Sequence, residues 1–152
     1  MFACSFELNN QPLSAFNLGA ISVPAFSGNG THINKRVSVC LSGLGPIPTG
    51  EYYIFDRQGG GHLEIYKNLF NDHSEWFALY ALDAKIDDET YCNKVKRGSF
   101  RLHPKGPRGI SEGCITIEKF ADFQRIRALL KNTAMITVPG SELKAYGKVV
   151  VK

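Results

Sequence analysis

Phe100-Arg-Leu-His103-Pro-Lys-Gly-Pro-Arg108-Gly-Ile-Ser111-Glu-Gly-Cys114-Ile-Thr-Ile117 places a strand at each end of a glycine- and proline-rich loop. Ser99 to His103 reads as a strand that delivers His103 at its end, and Ile115 to Ile117 as one that leaves Cys114. Directly afterwards, Glu118 to Asn132 repeats Phe120, Phe123, Ile126 and Leu130 at helical spacing, with Lys119, Arg125 and Arg127 projecting elsewhere. The basic C-terminal half of that segment suits the helix dipole. It is the one convincing helical period in the chain.

Outward from this stretch the signals are those of strands. Phe2 to Leu8 alternates apolar and polar residues and turns at Asn9-Asn10-Gln11-Pro12, with Leu13 to Phe16 returning. Ile21 to Phe26 is a short strand closed by Ser27-Gly28-Asn29-Gly30. After the apolar Val37 to Leu41, Ser42 to Gly50 packs three glycines and two prolines into nine residues. Fixed φ angles and missing N–H donors make that segment a rigid connector. Glu51 to Phe55 is an aromatic strand, Gln58 to Gly61 its turn, and His62 to Tyr66 alternates again. Trp76 to Leu82 is assigned as strand for its aromatic content. Asp83 to Arg97 is a polar excursion with room for a helical turn, and it is a candidate lid or substrate wall. Met135 to Val138 and Lys148 to Val151 close the chain as strands. The expected fold is β-rich α+β, a single domain over residues 1–152.

The chemistry hinges on two residues of the loop. A free thiol has a pKa of about 8.5, and a neighbouring imidazole can draw its proton off and leave a nucleophilic thiolate. His103 is the candidate base for Cys114. Gly113 permits a tight turn and close approach of a carbonyl, so the Gly113 and Cys114 N–H groups are candidates for an oxyanion hole. Ser111 and Glu112 are the polar groups next to the nucleophile, and either can orient the histidine. Taken one at a time these residues have ordinary readings: a small buried thiol, an exposed imidazole, a polar turn.

Composition bounds the alternatives. A chain of 152 residues forms one domain and buries about 70% of its unfolded surface. A net charge of +4, with acidic residues interspersed outside the loop, describes a solvated surface and argues against nucleic acid as partner. Cys4, Cys40, Cys92 and Cys114 contain no Cys-x-x-Cys pair, which removes zinc-ribbon and thioredoxin spacings. One disulfide among Cys4, Cys40 and Cys92 and three free thiols are both open. A metal site from His103, Cys114, His62 and His73 lacks close ligand spacing, and no metal or other cofactor is expected. The N-terminal residues lack a basic region, a long apolar run and a cleavage site, and no segment has the roughly 20 apolar residues needed to insert in a bilayer. The expectation is a protein made in the cytoplasm without a signal peptide.

Ser111-Glu-Gly-Cys114 with His103 upstream resembles the catalytic motif of YkuD-type L,D-transpeptidases. Gly45-Pro-Ile-Pro-Thr-Gly-Glu-Tyr-Tyr53 and Phe26-Ser-Gly-Asn-Gly30 resemble blocks of the L,D-transpeptidase-related family of type VI secretion effectors, in the same order. This resemblance implies an L,D-transpeptidase-like β-sandwich or barrel with its main helix after the catalytic cysteine. It implies that Cys114 attacks the meso-diaminopimelate carbonyl of a peptidoglycan stem tetrapeptide, with His103 as base, Gly113 and Cys114 as oxyanion hole and Ser111 positioning His103. Water as acceptor gives L,D-carboxypeptidase activity, and a D-amino acid gives exchange. It also implies a cognate immunity protein, secretion machinery and action in the periplasm of target bacteria. The commonest L,D-transpeptidase signature has His where this chain has Glu112, and Arg or Asn shortly after the cysteine where it has Ile115 and Thr116. That difference favours trimming or exchange over crosslinking. Arg101, Arg108 and Glu112 are the candidate substrate-binding residues. Two competing readings are a non-catalytic peptidoglycan-binding module, which intact His103 and Cys114 oppose, and an intracellular Cys-His hydrolase of another substrate, which the lack of a signal peptide supports.

Overall fold

In the computed structural model, which describes residues 2–57, 75–107, 109 and 111–152, eight strands close into a barrel. In chain order the elements are β1 (Phe2–Phe6), β2 (Ser14–Leu18), β3 (Ile21–Phe26), β4 (Gly50–Asp56), β5 (Phe77–Ala81), β6 (Glu89–Cys92), β7 (Val95–Gly98), β8 (Arg101–Pro104), β9 (Ile115–Ile117), helix α1 (Phe120–Asn132), β10 (Ile136–Thr137), β11 (Lys144–Ala145) and β12 (Gly147–Val151). Around the barrel the order is β1-β12-β4-β5-β8-β9-β3-β2, while β6-β7 and β10-β11 form separate two-stranded pairs. The β-rich α+β expectation is borne out, in the closed-barrel form. The expected turn Gln58 to Gly61, the strand His62 to Tyr66, and His73 and Arg108 lie outside the described residues.

Period-two alternation explains the barrel interior. Phe6, Phe16, Leu18, Ile54, Leu79, Leu102, Ile115, Ile117 and Val149 all point inward and are at most 2% exposed. Helix α1 adds Phe123, Ile126 and Leu130 to the same core, each fully buried. Burying such side chains stabilises the fold by about 1.5–3 kcal/mol apiece. Phe120, expected on that buried stripe, is instead 55% exposed, because it is the first helical residue and lies beyond the barrel's edge of contact.

Two patches of the barrel's outside are also covered. On β4 and β5, Tyr53, Phe55 and Ala78 are buried under Val138 and Ala145, which belong to the β10–β11 segment. On β8 and β9 the cover is different: the connector before β4 and the β6–β7 hairpin lie over it. This hairpin replaces the expected helical turn within Asp83 to Arg97; Glu89 pairs with Gly98 and Cys92 with Val95 around a turn in which Asn93 and Lys94 both have positive φ, 46° and 68°. Cys40 of the connector is disulfide-bonded to Cys92 of the hairpin, with Cα atoms 5.2 Å apart, and Cys4 remains a free thiol inside the barrel.

Candidate active site

Strands β8 and β9 are parallel, with Leu102 opposite Ile115 and His103 opposite Thr116. Because Leu102, Ile115 and Ile117 point into the core, Arg101, His103, Cys114 and Thr116 share the outer face. His103 and Cys114 are diagonal neighbours there; strand spacing and rise put their Cα atoms about 8 Å apart, within side-chain reach. The parallel pairing of β8 with β9 brings them side by side.

His103 is 6% exposed and tightly framed. Its Nδ1 lies 2.7 Å from the Pro104 carbonyl, which can only accept, so Nδ1 carries a proton and in the neutral ring Nε2 is the basic nitrogen. Trp76 stacks on the imidazole at 4.2 Å between centroids and 19° between planes, and the Arg57 guanidinium is 5.9 Å from the indole centroid on that stack. Thr116, its register partner, is fully buried, and its hydroxyl makes no hydrogen bond among the described residues.

The Cys114 thiol rests toward the other end of β8. Its sulfur is 3.9 Å from the Ser99 carbonyl, and the Arg101 backbone N–H also bonds it. Desolvation pushes the thiol up to about 11; the Arg101 N–H and guanidinium oppose this, while Glu112 and Asp88 add to it. Cys114 is therefore a protonated thiol at rest. By contrast Cys4, pushed up to about 12 by burial alone, is an inert core residue.

Three polar side chains tie the Cys114 turn and the segments around it together. Ser111 Oγ donates to the Cys114 carbonyl at 2.8 Å and accepts from the Gly28 N–H at 3.2 Å. Ser27 Oγ accepts from the Ile47 N–H at 2.8 Å. The Arg97 guanidinium, 3% exposed, donates to the carbonyls of Val39, Gly45 (3.0 Å) and Pro46 (3.2 Å) and packs on the Phe100 ring. Phe26 to Gly30, Gly45 to Tyr53 and Ser111 to Cys114, far apart in the chain, thus meet in one hydrogen-bonded layer. At Gly113 φ is +111°, and a Cβ there would lie 2.5 Å from Arg97 Nη2 and 2.9 Å from Phe100. No turn or loop hydrogen bond among the described residues occupies the Gly113 or Cys114 N–H.

The thiol opens to a cleft of about 430 Å³. Ser42, Gly43, Asp88, Glu89, Lys96 to Ser99, Glu112 and Cys114 line it. Two sequence-based roles change here. Arg101 is committed to Asp88 through two 2.8 Å bonds, one from each terminal nitrogen, so its fork is not open to a substrate carboxylate. Ser111 bonds Gly28 and Cys114, and among the described contacts those that hold His103 come from Pro104 and Trp76. Arg97, Trp76 and Asp88 were not singled out from the sequence. Arg97 works through backbone carbonyls, which carry no side-chain signature, and Asp88 and Trp76 find their partners only through the barrel's topology.

Among the described residues no cluster could hold a metal ion, and no helix is long and apolar enough to cross a membrane. No curated protein and no solved structure matches the chain. Residues 21–141, which span β3 through the β10–β11 turn and so hold all three converging blocks, match the model of the Tlde1 domain, and the chain belongs to this family of type VI secretion effectors.

Proposed function

We propose that the chain is an antibacterial effector that acts on peptidoglycan stem tetrapeptides through a Cys114 thioester. The observation that carries this reading is the placement of Cys114 in the lining of the cleft, diagonal to a histidine whose neutral ring leaves Nε2 as the base. Nε2 takes the thiol proton as sulfur attacks the meso-diaminopimelate carbonyl, and the Gly113 and Cys114 N–H groups receive the oxyanion. The C–N bond then breaks, and the imidazolium returns its proton to the departing D-alanine amine. Water, activated by the same imidazole, hydrolyses the thioester to tripeptide; a free D-amino acid regenerates a tetrapeptide by exchange. Either outcome removes donors for crosslinking.

The Cys40–Cys92 disulfide supports action in an oxidising compartment such as the bacterial periplasm, reached from the producing cell's cytoplasm through secretion machinery. The 430 Å³ cleft is the natural target of a cognate immunity protein, since covering it would block Cys114. Incubating the protein with tetrapeptide muropeptides and weighing the products should show loss of D-alanine. Cys114→Ala and His103→Ala should abolish that loss, and unchanged tetrapeptide with the wild-type protein would sink the proposal. Toxicity on targeting to the cytoplasm, rather than the periplasm, would favour the intracellular hydrolase.

A further inference from the structure

The charges around the cleft are paired, with one exception. Asp88 is forked by Arg101, and Glu89 is 2.8 Å from Lys96. Arg97 spends its donors on backbone carbonyls. Glu112 lines the same cleft two residues before the nucleophile and has no cationic partner among the described residues. Its negative charge acts against the ionisation of Cys114. An unpaired carboxylate beside a thiol that must become a thiolate is counterproductive in the empty cleft, and it ceases to be so when a cation is seated next to it.

We propose that Glu112 is the subsite for a substrate ammonium group, and that seating this group couples substrate binding to activation of Cys114. The proposal rests on the thioester-forming reading of the cleft and names what that site selects: a peptide with an ammonium a few bonds from the scissile carbonyl. The side chain of meso-diaminopimelate carries such a group on a terminal carbon that also bears a carboxylate, and the pairing requires the ammonium to face Glu112 and the carboxylate to face away from it. With the ammonium on Glu112, the thiol proton passes to His103 Nε2 and the C–S bond forms as in the uncoupled reaction; only the electrostatic cost of the thiolate changes. The remaining charges facing the sulfur, Asp88, Arg97 and Arg101, keep their internal partners throughout.

The test has two arms. In the first, the pH dependence of Cys114 alkylation by iodoacetamide is compared in wild type, Glu112→Gln and Glu112→Asp, with and without saturating n-butylammonium; buried Cys4 and the disulfide do not compete. Glu112→Gln should shift the profile down by about one pH unit, a roughly tenfold faster reaction at neutral pH, and Glu112→Asp should not. The amine should shift wild type in the same direction and leave Glu112→Gln unmoved. In the second arm, tetrapeptide with a free side-chain ammonium is compared with the N-acetylated form. Wild type should lose about tenfold to a hundredfold in kcat/KM on acetylation, and Glu112→Gln should treat the two alike. An unshifted Glu112→Gln profile, or equal discrimination by both proteins, overturns the subsite while the tetrapeptide reading stands. If wild type turns over neither peptide, that reading fails and the alkylation arm alone decides for or against Glu112.

Discussion

The two covered patches on the outside of the barrel are built by the same strand geometry and differ in what holds the cover down. On β4 and β5, Tyr53, Phe55 and Ala78 meet Val138 and Ala145, with Tyr80 packed at the edge and its ring 5.0 Å from that of Phe55. Those contacts are non-directional and tolerate small shifts. On β8 and β9 the cover is attached by a forked ion pair, three carbonyls around one guanidinium and a disulfide. Directional bonds cost more to satisfy and fix position more tightly, which is what the proposed nucleophile and base would require. The barrel makes both patches possible; the chemistry of the cover distinguishes the one that holds the candidate site.

The cover of β8 and β9 should be disturbed most by substitution at Arg97. Arg97→Met removes the donor for three carbonyls that remain buried or must be rewetted, and each orphaned group costs about 1–3 kcal/mol. Destabilisation of about 3–5 kcal/mol is expected in urea unfolding, together with loss of turnover. Phe55→Leu on the apolar patch should cost no more than about 1.5 kcal/mol and leave turnover unchanged. Comparable losses at the two positions would mean that the polar layer is no more demanding than the apolar one.

Next in size is the disulfide. Cys40 and Cys92 are 52 residues apart, and the chain-entropy model assigns such a link about 4 kcal/mol. Since it ties the connector to the hairpin, reduction should loosen the cover of β8 and β9 before the barrel itself. Hydrogen exchange after mild reduction should rise in the connector and in Glu89 to Gly98 while Tyr53 and Phe55 stay protected, and turnover should fall with it. A reduced protein of full activity would show that the cover needs no clamp.

The two patches also differ in how far the sequence discloses them. Unbroken apolar runs such as Tyr52-Tyr53-Ile54-Phe55 announce burial on both faces of a strand, and alternation at Phe2 to Phe6 announces one. His103 and Cys114 are visible as the two ends of one loop, because the crossover between parallel neighbours is itself a local stretch. Their surroundings are hidden for physical reasons. The β6–β7 turn uses Asn93 and Lys94 with positive φ, and lysine there gives no turn signal comparable to Asn-Gly. Nothing in the spacing of Cys4, Cys40 and Cys92 selects a pair; the selection is made when the hairpin folds over the connector. Arg101 reads as a free cation until the fold brings Asp88, 13 residues earlier, against it.

The smallest change that should still separate structure from chemistry is Ser111→Ala. It removes a 2.8 Å bond to the Cys114 carbonyl and the acceptor for the Gly28 N–H, and it touches neither the sulfur nor the imidazole. Stability should fall by about 1–2 kcal/mol, since two modest hydrogen bonds are lost. The barrel's own outer hydrogen bond, from Asn17 to Ser5 at 3.2 Å, is a matched control, and Ser5→Ala should stay within about 0.5 kcal/mol. The distinguishing readout is kinetic. With the Gly113–Cys114 turn released from Ser111, the oxyanion donors lose their aim, so kcat should drop by roughly tenfold while KM holds, and Ser111→Thr should restore most of it. A loss confined to stability would make Ser111 a fastener of the layer alone and leave the orientation of the oxyanion donors to Gly113 and Arg97.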